Sequence, residues 1–519
     1  MSLSATVIAK VAARRAQPPR PPASARGDLL DKRIAEWLFL LTFAAAAYFH
    51  SGGGWNQSSQ FDLTRAIVER HTFAIDAYAF NTGDLAFANG HVYSNKAPAL
   101  SWLAAIPYAL LHAIMGTPHN TLALTIAAYV CTLLTVGIFA ALIPALLFAE
   151  ARRRGVDPLW AATIAMIVAF GTELLPYSTL MMFMLPSGTL MLIAYVARND
   201  AVSGFAAALA TVTNYLCAPA LVILAISRGG WAPRPSTATD RRGRLSSTGR
   251  FILGAIPPLV ALAVYQRLCF GGFFATSISH EDARFLTKGA AMGVLRAPSL
   301  DALYGITISP YRGLFFFAPV LLLALIPLVR ERRIVAITIA FFAVNVCFNG
   351  WEGGFGVGAR YLVPLIPLFG IALLNARPRV LVVALGALSF AINFACTAVD
   401  PQPSATIPRP LTQYIVPLLV HGQFSPSVPI TPPWSATTFT GHTSVNRMAH
   451  DEAIVFQRHP PGSLESEWSS FNLGEPVFGA GDARSLIPIV ALLVFGGAAI
   501  LVKARQAGRA SAATTPPQS

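Results

Sequence analysis

Residues able to do chemistry are concentrated in one polar stretch, 55–98, which reads WNQSSQFDLTRAIVERHTFAIDAYAFNTGDLAFANGHVYSNKAP. It holds the aspartates Asp62, Asp76 and Asp84, two histidines, and Lys96 shortly before Pro98. A long segment this dense in ionisable groups is functional or disordered. Its aromatic and apolar content argues against disorder. Within it, SSQFDLTRAIVERH carries apolar residues at Phe61, Leu63, Ile67 and Val68, with Ser58 or Ser59 as a cap, and predicts a short interfacial helix. Three- and four-residue spacing puts Asp62, Arg65 and Glu69 on one polar face. That face reads in two ways. It is a solvated surface with an Asp–Arg pair, or it holds a carboxylate that looks into a membrane cavity and takes a proton from a hydroxyl. Asp84 follows Asn81-Thr82-Gly83 and is the second candidate catalytic carboxylate; its alternative is a turn aspartate bonded to its own backbone. Lys96 is either a snorkelling interfacial lysine or a point charge for a phosphate.

Three further polar pieces sit at the ends of apolar runs: HEDAR at His280 to Arg284, SPYRG at Ser309 to Gly313, and GWEGGFGVGARY at Gly350 to Tyr361. Ionisable residues at membrane boundaries are costly and often functional. Arg312 and Arg360 break the charge pattern set by the other arginines, which calls for a specific anionic partner. Glu352 or Asp282 would supply it structurally; a bound substrate would supply it functionally. The glycines before Arg360 let backbone approach a ligand closely. His280-Glu281-Asp282 suggests a metal, but no second carboxylate or histidine stands at ligand spacing, so no metal ligands are assigned. The candidate substrate-binding set is therefore Lys96, Arg65, Arg312, Arg360, Glu352 and His280. No cofactor is required by these residues, and a divalent cation is the one left open.

Composition says what must position these groups. The chain has 519 residues, is 54% hydrophobic and only 12% charged, against about 25% charged in soluble domains. About a dozen apolar windows are long enough to span a bilayer. The expected fold is an all-α polytopic membrane protein of about 11–13 transmembrane helices, with a helical first external loop and a small external cap. The net charge of +14 is gathered in short basic segments between apolar ones, as the positive-inside rule requires, and does not point to nucleic acid. The five cysteines lie in or beside apolar segments with no metal or redox spacing, so they read as small buried hydrophobes.

In order, the chain divides into a disordered basic cytoplasmic tail (1–33), a transmembrane module (34–397) containing the external loop 51–97, an external cap segment (398–484), a last span (485–503) and a cytoplasmic tail (504–519). The segments 98–115 and 203–227 leave two topologies open. If each crosses once, Arg152, Arg153 and Arg154 fall outside, against the charge rule. If 98–115 is re-entrant and 203–227 is a hairpin around Asn214 and Pro219, those arginines lie inside.

The pieces QFDLTRAIVERHTFAID, GDLAFANGHVYSNKAPALSWLA, SPYRGLFFFAPVLLLAL and GGFGVGARYLVPLIP, in this order, resemble the GT-C superfamily of polyprenyl-phosphate-sugar-dependent glycosyltransferases. The nearer relatives are protein O-mannosyltransferase-like and aminoarabinose-transferase-like bacterial membrane proteins. The resemblance covers roughly residues 30–380. It implies a GT-C-like bundle in a bacterial plasma membrane, multi-pass, with a cytoplasmic N-terminus. Its partners would be a polyprenyl-phosphate sugar donor, membrane lipids and an acceptor hydroxyl of unknown origin, with no nucleic acid. The resemblance also implies that a loop aspartate deprotonates the acceptor, which displaces the lipid phosphate at the anomeric carbon with inversion. Carried over, Asp62 is the base and Lys96 a ligand of the donor phosphate. This chain departs from the pattern at Ala97-Pro98, where relatives often have two prolines, and lacks a second acidic residue directly after Asp62. The alternative function is a transporter or flippase of a lipid-linked sugar. Polar residues gathered at one face favour the enzyme; Pro176 and Pro186 around Tyr177 mark a broken helix of the kind transporters use.

Overall fold

In the computed structural model, residues 25–52, 54–230, 245–422, 470–479 and 481–513 are described. The expected tail 1–33 lies outside them as far as residue 24, and helix already begins at Ala25. Most of the expected cap, residues 423–469, lies outside them as well. Arg234, Arg241, Arg242 and Arg244 of the basic loop do too.

The described chain is helical, with only two small strand pairs. The helices used below are α1 (Ala25–Tyr48), α2 (Trp55–Arg70), α3 (Ala99–Met115), α4 (Leu122–Arg153), α5 (Pro158–Phe170), α6 (Met184–Val196), α7 (Asp200–Thr213), α8 (Ala218–Gly230), α9 (Ser247–Phe270), α10 (Arg332–Cys347), α11 (Arg379–Val399) and α12 (Ile487–Ala513). Among the described residues, four helices are long and apolar enough to cross a membrane, Leu122–Arg153, Ser247–Phe270, Arg379–Val399 and Ala483–Ala510, and shorter apolar helices fill the bundle. Proline is the reason several expected spans are shorter. Residues 313–329 break at Pro319, and 361–375 starts as a three-ten turn around Pro364 before helix resumes at Ile366. The last helix runs past the expected end at 503 because its tail, KARQAGRASAA, is rich in helix-forming alanine. Large apolar side chains point outward, among them Val260 and Val264 on α9 and Val494 and Phe495 on α12. Outward apolar faces over a buried helical core are what lipid contact demands, and the chain is an all-α polytopic membrane protein.

The topology left open by the sequence is resolved by side-chain pairs. α1 and α4 run antiparallel along their lengths. The Tyr129 hydroxyl donates to the Ala47 carbonyl at 2.8 Å near one end, and Arg152 pairs with Asp31 at 2.8 Å near the other. α3 does not cross. It lies alongside α2 in the same direction, with Ser101 Oγ donating to the Gln60 carbonyl at 2.8 Å and Tyr108 to the Glu69 carboxylate. α7 and α8 form a hairpin broken at Asn214, whose side chain caps the turn. Its two ends return together, because Arg228 on α8 pairs with Asp200 on α7 at 2.6 Å. Arg250 at the start of α9 reaches the same Asp200 at 2.9 Å. Arg154 pairs with Glu331, and Arg333 donates to the Ser227 carbonyl at 3.3 Å. The arginines 152–154, 228, 250 and 333 thus gather at one basic end, and the re-entrant and hairpin version is the one the molecule adopts. The opposite end carries every polar piece singled out above.

Candidate active site

The site end is built around α2. Its N-cap is Gly54, without a side-chain cap, rather than Ser58 or Ser59. The expected solvated face is buried instead: Asp62 is 2% and Arg65 6% exposed. Arg65 donates to Glu69 at 2.9 Å and lies over the Tyr78 ring, 4.4 Å from its centroid. Glu69 also accepts from the Tyr78 hydroxyl at 2.8 Å and from Tyr108. Burial raises the Glu69 pKa, but the Arg65 and tyrosine donors outweigh it and hold the carboxyl below its usual range. Arg65 is therefore committed to a closed internal cluster. Asp62 lies between that cluster and Ser59, three residues from each, and its charge is felt by Arg65.

Ser59 points to the second corner. Its hydroxyl donates to the Asp84 carbonyl and meets Ser94 Oγ, both at 2.7 Å. Asp84 and Lys96 are twelve positions apart in sequence, yet the β1–β2 hairpin (Leu85–Ala88 with His91–Ser94) folds them together. Its turn is Asn89-Gly90, both at positive φ, as a tight hairpin requires. The Lys96 Nζ stands 2.9 Å from Asp84 Oδ2. Asp84 is thus an ion-pair partner rather than a self-bonded turn residue, and Lys96 is paired rather than snorkelling. Glu281 closes this corner, accepting from Asn95 Nδ2 at 3.1 Å while its backbone bridges to Ala86. Burial pushes the Glu281 carboxyl up to about 7; Lys96 opposes the rise and Asp84 adds to it. His280 turns away, its ring 5.0 Å from Phe270 and its Nδ1 at 3.1 Å from the Thr276 carbonyl.

The third piece is the glycine turn before Arg360. Arg312, 1% exposed, donates to the carbonyls of Gly356 and, at 2.6 Å, Gly354. Arg360 is half-buried and donates to the Tyr361 hydroxyl at 3.0 Å. Each guanidinium lies near its neighbouring tyrosine ring, and each has an Nε without a partner among the described residues. Neither forms an ion pair with a carboxylate among the described residues, so the expected pairing with Glu352 or Asp282 is not made by either. Glu352 sits in the same turn, where its charge reaches Tyr311. Burial lowers the Arg312 pKa, and the like charge of Arg360 works in the same direction. Burial also acts to lower Arg360, but Tyr361, Tyr177 and the Asp84 carboxylate outweigh it. Arg360 therefore joins the Asp84–Lys96 corner electrostatically.

Two contributors were not singled out from the sequence. Glu173, fully buried between α5 and α6, has no hydrogen-bond partner on either oxygen among the described residues. A Cβ added at Gly358 would stand 2.8 Å from its Oε1. A carboxylate inside an apolar run was itself the signal. The other is the loop 400–406. The Gly356 and Val357 N–H groups donate to the Pro403 and Pro401 carbonyls at 3.3 and 3.2 Å. Gln402 Nε2 reaches the Gly52 carbonyl at 3.0 Å. Nothing in the loop's composition marks it. No group of three metal-type ligands occurs among the described residues.

An open apolar groove of ≈ 490 Å³ flanks the second half of α2, lined by Ile67, Phe73, Trp102 and Tyr265 with residues of α3 and α9.

No protein-family model matches the chain, and no curated protein matches it. Two solved structures are similar to it, both crystal structures of ArnT from Cupriavidus metallidurans, one in the apo state and one bound to undecaprenyl phosphate. They are 14% and 15% identical to this chain, with TM-scores of 0.43 and 0.42. Each match covers 94% of this chain and 78% of that one.

Proposed function

We propose that this chain is a GT-C-type membrane glycosyltransferase that moves a sugar from a polyprenyl-phosphate donor to an acceptor hydroxyl. The observation that carries the reading is the pair Arg312 and Arg360. Two guanidinium groups sit together at the site end, and neither forms an ion pair with a carboxylate among the described residues. A buried cation without a counter-ion is costly, and a phosphate would balance it with the fork geometry arginine favours. The apolar groove beside α2 supports a lipid-linked donor.

In this reading Asp62 takes the proton of the acceptor hydroxyl. The acceptor oxygen forms a bond to the anomeric carbon as the bond from that carbon to the phosphate oxygen breaks. The electron pair leaves with the lipid phosphate, and Arg360 stabilises the charge that develops there. Attack opposite the leaving group inverts the anomeric centre. The reaction faces the outer side of a bacterial plasma membrane, with the basic end cytoplasmic.

Sugar transfer from radiolabelled polyprenyl-phosphate donors, measured in membranes with wild type and Asp62→Asn, tests this. Loss of a general base is expected to slow transfer by about 10²–10⁴-fold with donor binding retained. Unchanged transfer in the variant moves the base to Asp84. Movement of the lipid-linked sugar across the bilayer without transfer replaces the enzyme with a transporter.

A further inference from the structure

We propose that the start of α2 is a subsite for the hydroxyls of the donor's sugar ring, read by the side-chain amides of Asn56, Gln57 and Gln402. This rests on the glycosyltransferase reading and deepens it.

The first turn of any helix leaves backbone N–H groups without intrahelical partners, and Gly54 offers no side chain to cap them. Gln57 is 1% exposed, and among the described residues neither its Nε2 nor its Oε1 has a partner. Asn56 is 4% exposed, and its Nδ2 has no partner among the described residues. Gln57 Oε1 and Gln402 Oε1 converge on the helix start, 3.2 and 3.0 Å from where a Cβ at Gly54 would stand. Gln60, one turn on, donates through Nε2 to Asn56 Oδ1 at 2.8 Å and to the Met181 carbonyl at 3.1 Å, leaving its Oε1 unpartnered. Buried polar atoms without partners are rare in folded proteins, and here they cluster at one helix end.

Their chemistry selects the ligand. Amide oxygens need donors, and a phosphate offers only acceptors. Hydroxyl groups offer both: they donate to the amide oxygens of Gln57 and Gln402, and accept from Asn56 Nδ2 and the backbone N–H groups of the first turn. The named groups are uncharged, so an anion is better placed at Arg360. The division of labour is phosphate at the glycine turn and sugar at the start of α2. The loop 400–406 ties the two together, because it binds Gly356 and Val357 on one side and Gly52 on the other.

The test uses the full-length chain in nanodiscs and compares its affinity for undecaprenyl phosphate with that for undecaprenyl phosphates bearing a panel of hexoses and pentoses. Wild type is expected to bind at least one sugar-bearing lipid more tightly than the bare lipid. Gln57→Leu and Gln402→Leu are each expected to cut that advantage by about 3- to 10-fold, the worth of one neutral hydrogen bond, with bare-lipid affinity unchanged. Gln57→Leu buries no unpartnered amide, so its thermal midpoint should equal or exceed wild type; Gln402→Leu, on a loop, is the second variant should the first not fold. Equal weakening of both lipids, an undiminished sugar advantage, or no sugar advantage in wild type overturns the subsite. Wild type that binds neither lipid overturns the donor reading itself.

Discussion

Lys96 and Arg360 face the same end of the molecule, but their charges are handled in opposite ways. Lys96 sits 2.9 Å from Asp84, both side chains are mostly buried, and Glu281 adds a second carboxyl to the corner. Arg360 has Arg312 as its neighbour and no carboxylate within ion-pair distance among the described residues. A buried charge that is already paired contributes to holding a structure together. A half-buried charge without an ion pair is held in place by its surroundings for something else. The sequence ranks the two alike, since each is a cation at the edge of an apolar run. Only the pairing separates them.

The largest effect expected from this contrast is on donor binding. Arg360→Ala should weaken undecaprenyl phosphate binding by about 10- to 100-fold, the range for losing a charge-assisted hydrogen bond. Lys96→Ala should weaken it less, because Asp84 already offsets the lysine. Equilibrium binding in nanodiscs measures both. A Lys96→Ala loss as large as that of Arg360→Ala would break the contrast and return the phosphate to the lysine.

The next effect concerns what shapes the arginine turn. Gly354 and Gly358 share a φ of +64, but a Cβ at Gly354 meets nothing within 4 Å, whereas one at Gly358 collides with Glu173. Both alanine variants carry the left-handed backbone strain of about 1–3 kcal/mol. Gly358→Ala should be the less stable by a further ~1 kcal/mol or more of overpacking, read as a lower thermal midpoint in detergent. Adding Glu173→Ala should recover that difference. Equal midpoints for the two glycine variants would show that Glu173 does not set the turn.

Much of this was legible in the sequence, for identifiable reasons. Helix α2 and the grouping of Asp62, Arg65 and Glu69 follow from spacing alone. Whether that face is wet or dry does not, because burial depends on α3 lying alongside it. Asp84 and Lys96 were both visible as reactive types, and the Asn89-Gly90 hairpin signal between them was there to be read. Arg312 and Arg360 stood out by breaking the charge pattern, but the sequence did not tell which acids they avoid. Glu173 was hidden inside an apolar run counted as a span. Gln57 and Gln402 are ordinary amides 345 positions apart in number, brought together only by the loop after α11. The crossing pattern between 98 and 228 needed the Asp200–Arg228 pair, which joins the two ends of a hairpin.

The smallest effect separates the two regions by pH. Burial is the main cause that raises Glu281 to about 7, from an ordinary value of 4.5. Between those two values the folded chain holds a proton that the unfolded chain has released, so stability should fall as pH rises through that window and level off above it. Asp400, raised by burial to about 6, contributes a slope of the same sign. Glu281→Gln should therefore flatten, without abolishing, the decline of the thermal midpoint between about pH 4.5 and 7. Arg360 is protonated throughout, so Arg360→Ala should leave the slope as in wild type. Ionised Glu281 gives Lys96 a second counter-charge. Parallel pH curves for wild type and Glu281→Gln would mean that the carboxyl titrates alike in both states and that the lysine corner is more open to water than its burial implies.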